Sequence, residues 1–173
     1  MTVPFPGFEP VGHSGVESGI DTIRIFCDGG SRGNPGPAGI GAVILDVSDE
    51  PATVIATVSE AIGIATNNVA EYQALVSGLE AAAPFGARRV EVRADSQLLI
   101  RQLEGRYRVK NAGLQPLYRQ AMALLKPYAE VDLEHVYREQ NVEADALVNL
   151  ALDAERDGAS DPTVTGSLRP QAD

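Results

Sequence analysis

Apolar residues recur at every second position in Ile23, Ile25 and Cys27. That is the period of a half-buried strand, so a first strand is predicted to end near Asp28. The Gly/Pro-rich run from Gly29 to Pro37 reads as a turn. Two β-rich runs, 38–47 and 53–62, flank the polar stretch Ser48–Pro51 and predict a hairpin, which makes three strands in a meander. At Thr66-Asn67-Asn68 the pattern changes to capping chemistry. A helix is predicted from there to about Pro84, with Glu71 in its first turn, where a negative charge suits the macrodipole. Val90, Val92 and Ala94 alternate again and predict a short strand that stops at Asp95. Leu98, Leu99 and Leu103, and then Leu114, Leu117, Ala121 and Leu125, follow the helical period and predict helices over 96–103 and 114–126. A fifth strand over 131–137 and a last helix, N-capped by Asn141 and carrying Asp145 near its start, complete the order βββαβααβα. The fold class expected from this order is α/β, a five-stranded mixed sheet with helices on both faces.

Residues 1–20 and 156–173 are rich in Gly, Pro, Ser and acidic residues and lack apolar periodicity. They are expected to be disordered tails around one folded domain, residues 21–155. No stretch approaches the roughly 20 apolar residues of a membrane span, and the first ten residues have neither the basic region nor the apolar run of a leader. A soluble cytoplasmic protein, with no membrane or protein partner and monomeric, is the expectation. The single cysteine, Cys27, excludes an internal disulfide and a cysteine-based zinc site. The net charge of −10 argues against indiscriminate binding of nucleic acid, because sequence-independent affinity comes from cations on phosphates. Seven of the 14 basic residues nevertheless fall in one stretch, namely Arg88, Arg89, Arg93, Arg101, Arg106, Arg108 and Lys110. That stretch reads either as a basic contact or as an ordinary solvated face.

Four acids stand at element ends. Asp28 and Asp95 close strands, whereas Glu71 and Asp145 open helices, and ligands of α/β sheets bind in the crevice beyond strand ends. Position alone does not separate them from the other 20 acidic residues among the chain's 24. Their surroundings do. The run Asp28-Gly29-Gly30-Ser31-Arg32-Gly33-Asn34-Pro35-Gly36-Pro37 leads into Gly39-Ile40-Gly41-Ala42. It is followed in order by Thr66-Asn67-Asn68-Val69-Ala70-Glu71, by Asp95-Ser96-Gln97 and by Asn141-Val142-Glu143-Ala144-Asp145-Ala146-Leu147. These four segments resemble, in sequence and in order, the four motifs of the type 1 ribonuclease H (ribonuclease HI) family, over about residues 22–153. Within the family the chain is most similar to an archaeal and actinobacterial subgroup.

The resemblance implies a ribonuclease H-like fold and an endonuclease that cuts the RNA strand of an RNA/DNA hybrid, leaving 5′-phosphate and 3′-hydroxyl ends. It implies Asp28, Glu71, Asp95 and Asp145 as catalytic metal ligands, with Asp28 bridging two ions. Physics supports the metal independently. Unit charges 4 Å apart repel by about 4 kcal/mol at an effective dielectric near 20, so converging carboxylates take up protons unless cations neutralise them. An all-oxygen set favours a hard ion such as Mg²⁺, with Mn²⁺ as a substitute. Two ions roughly 3.5–4 Å apart suit in-line phosphodiester displacement. Substrate contacts implied by the resemblance are Gly30, Ser31, Asn34, Asn68 and Gln97 toward the 2′-hydroxyl side of the minor groove, and Thr66 toward a DNA phosphate. Taken singly, Asn34 also reads as a turn residue and Thr66 or Asn68 as a helix cap.

The chain departs from the family pattern in two places. The loop that carries a histidine in well-studied members is short here and holds Arg138, Glu139 and Gln140; Arg138 or Glu139 is the candidate substitute. His135 shares strand parity with Val131, Leu133 and Tyr137 and is expected to be structural. The family's tryptophan-bearing basic protrusion has no counterpart, since the chain lacks tryptophan. A dinucleotide-binding fold is disfavoured because a strand, not a helix, follows Gly36, Gly39 and Gly41. A DNA nuclease or resolvase with the same fold is disfavoured by the amide and glycine motifs. A non-catalytic nucleic-acid-binding module is disfavoured because all four acids are present.

Overall fold

The structure, a computed structural model, describes residues 19–159. The strands are β1 (Thr22–Ser31), β2 (Gly36–Asp46), β3 (Thr53–Ala65), β4 (Arg89–Ala94) and β5 (Glu130–His135). The helices are α1 (Asn67–Ala82), α2 (Gln97–Leu103), α3 (Gln115–Leu125) and α4 (Val142–Ala159), with single 3-10 turns at Ala83–Phe85 and Arg138–Gln140. One sheet holds all five strands in the order β3-β2-β1-β4-β5. β1, β2 and β3 form the antiparallel meander, and β4 and β5 join parallel to β1. The mixed α/β architecture is the one expected.

Strand periodicity decides what each face does. Ile23, Ile25 and Cys27 of β1 and Val90, Val92 and Ala94 of β4 are all within 1% of full burial. They form one core with Tyr72, Leu75 and Leu79 of α1 and Ala121 and Leu125 of α3. The alternate residues of β1, Arg24, Phe26, Asp28 and Gly30, turn to the opposite face. There α4 covers β1 and β2, its Val148 and Leu152 lying over Gly39 and Gly30.

Several boundaries differ from those expected: β2 begins at Gly36 rather than 38, β5 ends at His135 rather than 137, and three elements run on past their expected ends. β1 runs three residues past Asp28, because Gly29, Gly30 and Ser31 continue the ladder opposite Ile40, Gly39 and Ala38. Glycines that read as a turn are here a strand over which helices pack. β3 is likewise three residues longer than predicted. Helix α4 continues to Ala159, past the boundary expected at 155, since Ala154, Glu155 and Arg156 are good helix formers despite their polarity. The expected tails otherwise fall on 1–18 and 160–173, outside the described residues. Among the described residues no helix is long and apolar enough to cross a membrane.

Candidate active site

Two glycines set how closely the helices approach the acid-bearing strand. A Cβ on Gly29, next to Asp28, would stand 2.2 Å from the backbone carbonyl of Ala70 and 2.5 Å from the nitrogen of Glu71. Any side chain there would push α1 away, so glycine fixes the depth at which α1 delivers Glu71. Gly41, paired with Asp28 across the ladder, does the same for α4: its Cβ would stand 2.3 Å from the Ala144 carbonyl oxygen, and Asp145 follows directly. Asp95 is the first residue beyond β4, and the last rung between β1 and β4 joins Cys27 to Ala94. Caps start the helices nearby: the Thr66 hydroxyl accepts from Val69 N at 3.3 Å, and the Ser96 hydroxyl accepts from Leu99 N at 3.2 Å.

Asp28, Glu71, Asp95 and Asp145 line one cleft of about 430 Å³. All four are half-buried. Burial, then the charges of Asp95 and Asp145, a side-chain hydrogen bond to Asp145 and the charge of Glu71 push the Asp28 carboxyl up to about 8. Glu71 is pushed up to about 6 by burial and by Asp95, with a hydrogen bond from Ser96 pulling the other way. Beneath them burial, and then the charges of Asp28, Glu71 and Asp95, raise the Cys27 thiol far above its ordinary value, so it stays an inert core thiol. The exposed Arg138 places Nη2 3.6 Å from Asp145 Oδ1 at the cleft's edge. Arg32, also lining the cleft, is held by Asp153 at 2.7 Å.

Of the expected substrate contacts, Gly30 and Ser31 line the cleft with the acids. Asn34, Thr66, Asn68 and Gln97 are exposed and do not line it. Asn34 Oδ1 accepts from Asn67 N at 3.2 Å, and Thr66 caps α1. Arg138 lines the cleft, whereas Glu139 beside it is exposed and does not. Glu71 is the fifth residue of α1, beyond its first turn, and no first-turn acid is present in that helix. Asn141 precedes α4 and its carbonyl accepts from Asp145 N, but its side chain turns inward and donates to Cys27 O at 3.0 Å. His135 is half-buried and hydrogen-bonded, with Nε2 3.2 Å from Asp95 O.

Two cleft residues escaped the sequence reading. Asn67 Oδ1 accepts from Ser31 N at 2.9 Å and so ties α1 to the end of β1; it lay within a motif already quoted but read as a cap. Asn149 Nδ2 donates to Asp145 O at 3.2 Å, and its spacing of four residues from Asp145 was the available signal. The basic stretch divides. Arg88, Arg89 and Arg93 are consumed in ion pairs with Asp21, Glu130, Glu91, Asp132 and Glu134, while Arg108 and Lys110 remain exposed.

The donor set is all oxygen; the charges of Asp95, Asp145 and Glu71 raise the proton affinity of Asp28, as that of Asp95 does for Glu71, a repulsion that cations would relieve. Among the described residues no three of His, Cys, Asp or Glu are drawn together as a ready-made cage. Mg²⁺ does not require one: it binds through one or two carboxylates, keeps several waters and takes substrate phosphate as a further ligand. The residues present fit such an ion.

Sheet order, the cleft acids and glycine-mediated helix approach go with one family: the family model described as "Reverse transcriptase-like" matches residues 26–151. The chain is 44% identical over 131 residues to "Ribonuclease HI" of Halobacterium salinarum, covering 76% of this chain and 64% of that protein. It is 47% identical over 138 residues to "Bifunctional protein Rv2228c" of Mycobacterium tuberculosis, covering 80% of this chain and 37% of that protein. The chain thus spans little more than a third of the length of its mycobacterial relatives. Among solved structures it is similar to the N-terminal RNase H domain of the mycobacterial protein (TM-score 0.73, 47% identity, 76% of this chain and 99% of that one). It is also similar to RNase H1 of Halobacterium salinarum (TM-score 0.72, 42% identity, 77% and 98%). LC11-RNase H1, solved in complex with an RNA/DNA hybrid, gives TM-score 0.71 at 42% identity, covering 78% and 99%. The chain belongs to the type 1 ribonuclease H family.

Proposed function

We propose that this chain, as the ribonuclease H domain over 21–155 with α4 extending to 159, hydrolyses the RNA strand of RNA/DNA hybrids and leaves 5′-phosphate and 3′-hydroxyl ends. The observation that carries the reading is the convergence of Asp28, Glu71, Asp95 and Asp145, from four separate elements, on one cleft in which the carboxyls of Asp28 and Glu71 are pushed upward. Its support from similarity is LC11-RNase H1, whose complex with a hybrid shares 42% identity over nearly all of that chain. The cleft is built within a single chain, which supports a monomer as the working unit. The buried free thiol of Cys27 supports a reducing, cytoplasmic location.

Asp28, Glu71, Asp95 and Asp145 would hold two Mg²⁺ ions, or Mn²⁺ in their place. When bound, these ions supply activation of the attacking water and neutralisation of charge on the phosphate and leaving 3′ oxygen. Asp28, which lies in the field of all three other acids, would be the central ligand of the set. Asp145, at the start of α4 and beside exposed Arg138, sits where scissile phosphate and guanidinium would meet. Glu139 follows Arg138 in the same exposed turn and is a candidate contributor there. Gly30, Ser31 and Asn67 shape the floor beside the acids. The exposed Asn34, Asn68 and Gln97 offer short amides to the 2′-hydroxyls of a wide, shallow groove, and Thr66 offers a hydroxyl to a phosphate. The test is a Mg²⁺-dependent cleavage assay comparing RNA/DNA hybrid, duplex RNA and duplex DNA. The expected result is hybrid cleavage that Asp28→Asn abolishes. Cleavage of duplex DNA in preference to hybrid, or equal cleavage by Asp28→Asn, would overturn the assignment.

A further inference from the structure

The ladders that align the acid-bearing strands stop just short of the acids. β1 and β4 last pair at Cys27 and Ala94, and β4 and β5 last pair at Ala94 and His135. Asp95 therefore stands outside any strand pairing. One main-chain bond, Val136 N to Ala94 O at 2.9 Å, closes the β5 side. Beyond it, two side chains from the segment joining β5 to α4 take over. His135 Nε2 lies 3.2 Å from Asp95 O, and since a carbonyl only accepts, the ring N–H donates. Asn141 Nδ2 donates to Cys27 O, the carbonyl immediately before Asp28, at 3.0 Å.

Asn141 is fully buried, yet its Oδ1 has no partner. A buried amide with one unsatisfied end is a poor choice for packing alone, where an apolar side chain of similar size carries no such penalty. The residue is explained by its N–H. His135 and Asn141 are also joined by a short, hydrogen-bonded connection: Gln140 N donates to Tyr137 O at 2.9 Å, Asn141 N to Arg138 O at 3.0 Å, and Tyr137 N to Gln140 Oε1 at 3.3 Å. The two anchors belong to one compact turn.

We propose that His135 and Asn141 are positioning residues that act together as a brace, holding the backbone at Asp95 and beside Asp28 so that the two carboxylates keep a fixed spacing for a divalent cation. The proposal rests on the reading of the cleft as a cation site. It assigns His135 neither the proton chemistry nor the loop position of the family's histidine; its work is done by one donated hydrogen bond.

The test replaces each donor while keeping shape: His135→Phe retains a ring against Tyr137, and Asn141→Leu retains volume. His135→Gln, which returns an N–H near the Nε2 position, is the rescue variant. Cleft amide shifts followed by NMR during MgCl2 titration give the Mg²⁺ affinity, and steady-state hybrid cleavage gives kcat and KM, all well below each variant's Tm. Groups that orient metal ligands typically change affinity or activity by about 10–100-fold when removed. Expected is an approximately 10-fold weaker Mg²⁺ affinity and lower kcat for His135→Phe and Asn141→Leu, with KM for the hybrid within about twofold and recovery in His135→Gln. A folded His135→Phe with wild-type Mg²⁺ affinity and kcat, altered only in Tm, would overturn the brace while leaving the cation site intact. Absence of any Mg²⁺ response in the wild-type cleft would instead overturn the cation site and the brace with it. His135 is half-buried, so its variants decide the matter even if Asn141→Leu does not fold.

Discussion

On the face of β1 and β4 that bears Asp28 and Asp95, the upstream ends of the same strands carry a different set of charges. There Arg24 meets Glu91 at 2.6 Å, and Arg93 reaches Asp132 at 2.8 Å, Glu134 at 3.2 Å and Glu91 at 3.4 Å. Glu91 and Arg93 are each 8% exposed, and opposite charges satisfy one another within the chain. A few residues downstream, Asp28, Glu71, Asp95 and Asp145 gather with exposed Arg138 approaching from the edge, and the carboxyls of Asp28 and Glu71 are forced upward. The contrast is one of pairing: upstream acids are each met by arginine, whereas at the cleft Arg32 is held by Asp153 and Arg138 approaches only Asp145, from the edge. On the proposed function, the stability forgone there is that of a site which would recruit external cations.

Four experiments break or sharpen this contrast, beginning with the largest effect. Asp28→Asn is expected to lower hybrid cleavage about 10³-fold, roughly 4 kcal/mol of transition-state stabilisation, while raising the Tm in chelator because a carboxyl that must take up a proton on folding is gone. Kinetics and a thermal melt on the same sample check both signs. Arg93→Met, at the other end of β4, is expected to do the reverse. It removes the buried guanidinium shared by Asp132, Glu134 and Glu91, although Glu91 keeps Arg24 at 2.6 Å, and costs about 2 kcal/mol in urea unfolding, with specific activity of the folded enzyme little changed.

The third experiment uses pH. Asp28, up from 3.8 to about 8, and Glu71, up from 4.5 to about 6, hold protons in the folded chain that the unfolded chain has already released. The folded state therefore binds more protons between about pH 4 and pH 8, and in chelator stability falls as pH rises through that window. Below it the penalty is absent, and above it the penalty is complete. Urea melts across pH should show this slope, and Asp28→Asn should flatten it. The smallest effect is that of Thr66→Ala, which removes the α1 cap and is expected to cost about 1 kcal/mol in urea unfolding.

Much of this was legible in the residues. Alternation at Ile23, Ile25 and Cys27 and at Val90, Val92 and Ala94 located the two central strands, because their buried faces admit apolar side chains alone. The acids at their ends were legible because each lies in a distinctive local segment. The glycines were not: Gly29 read as turn chemistry and Gly41 as one more residue of a strand, and their function as contact points for α1 and α4 depends on tertiary approach that no local pattern encodes. The same limit explains Asn141, whose cap position was visible but whose side chain answers to a carbonyl 114 residues away. It explains Arg93 too, which reads as part of a basic surface and is instead buried by partners on β5.

The most direct test is a crystal of the protein soaked in Mn²⁺ and measured for anomalous scattering. Peaks inside the cleft, within coordination distance of Asp28 and of at least one of Glu71, Asp95 and Asp145, are predicted, and they should be absent in Asp28→Asn. A cleft without anomalous signal, in a crystal whose Mn²⁺ lies elsewhere, would contradict the account.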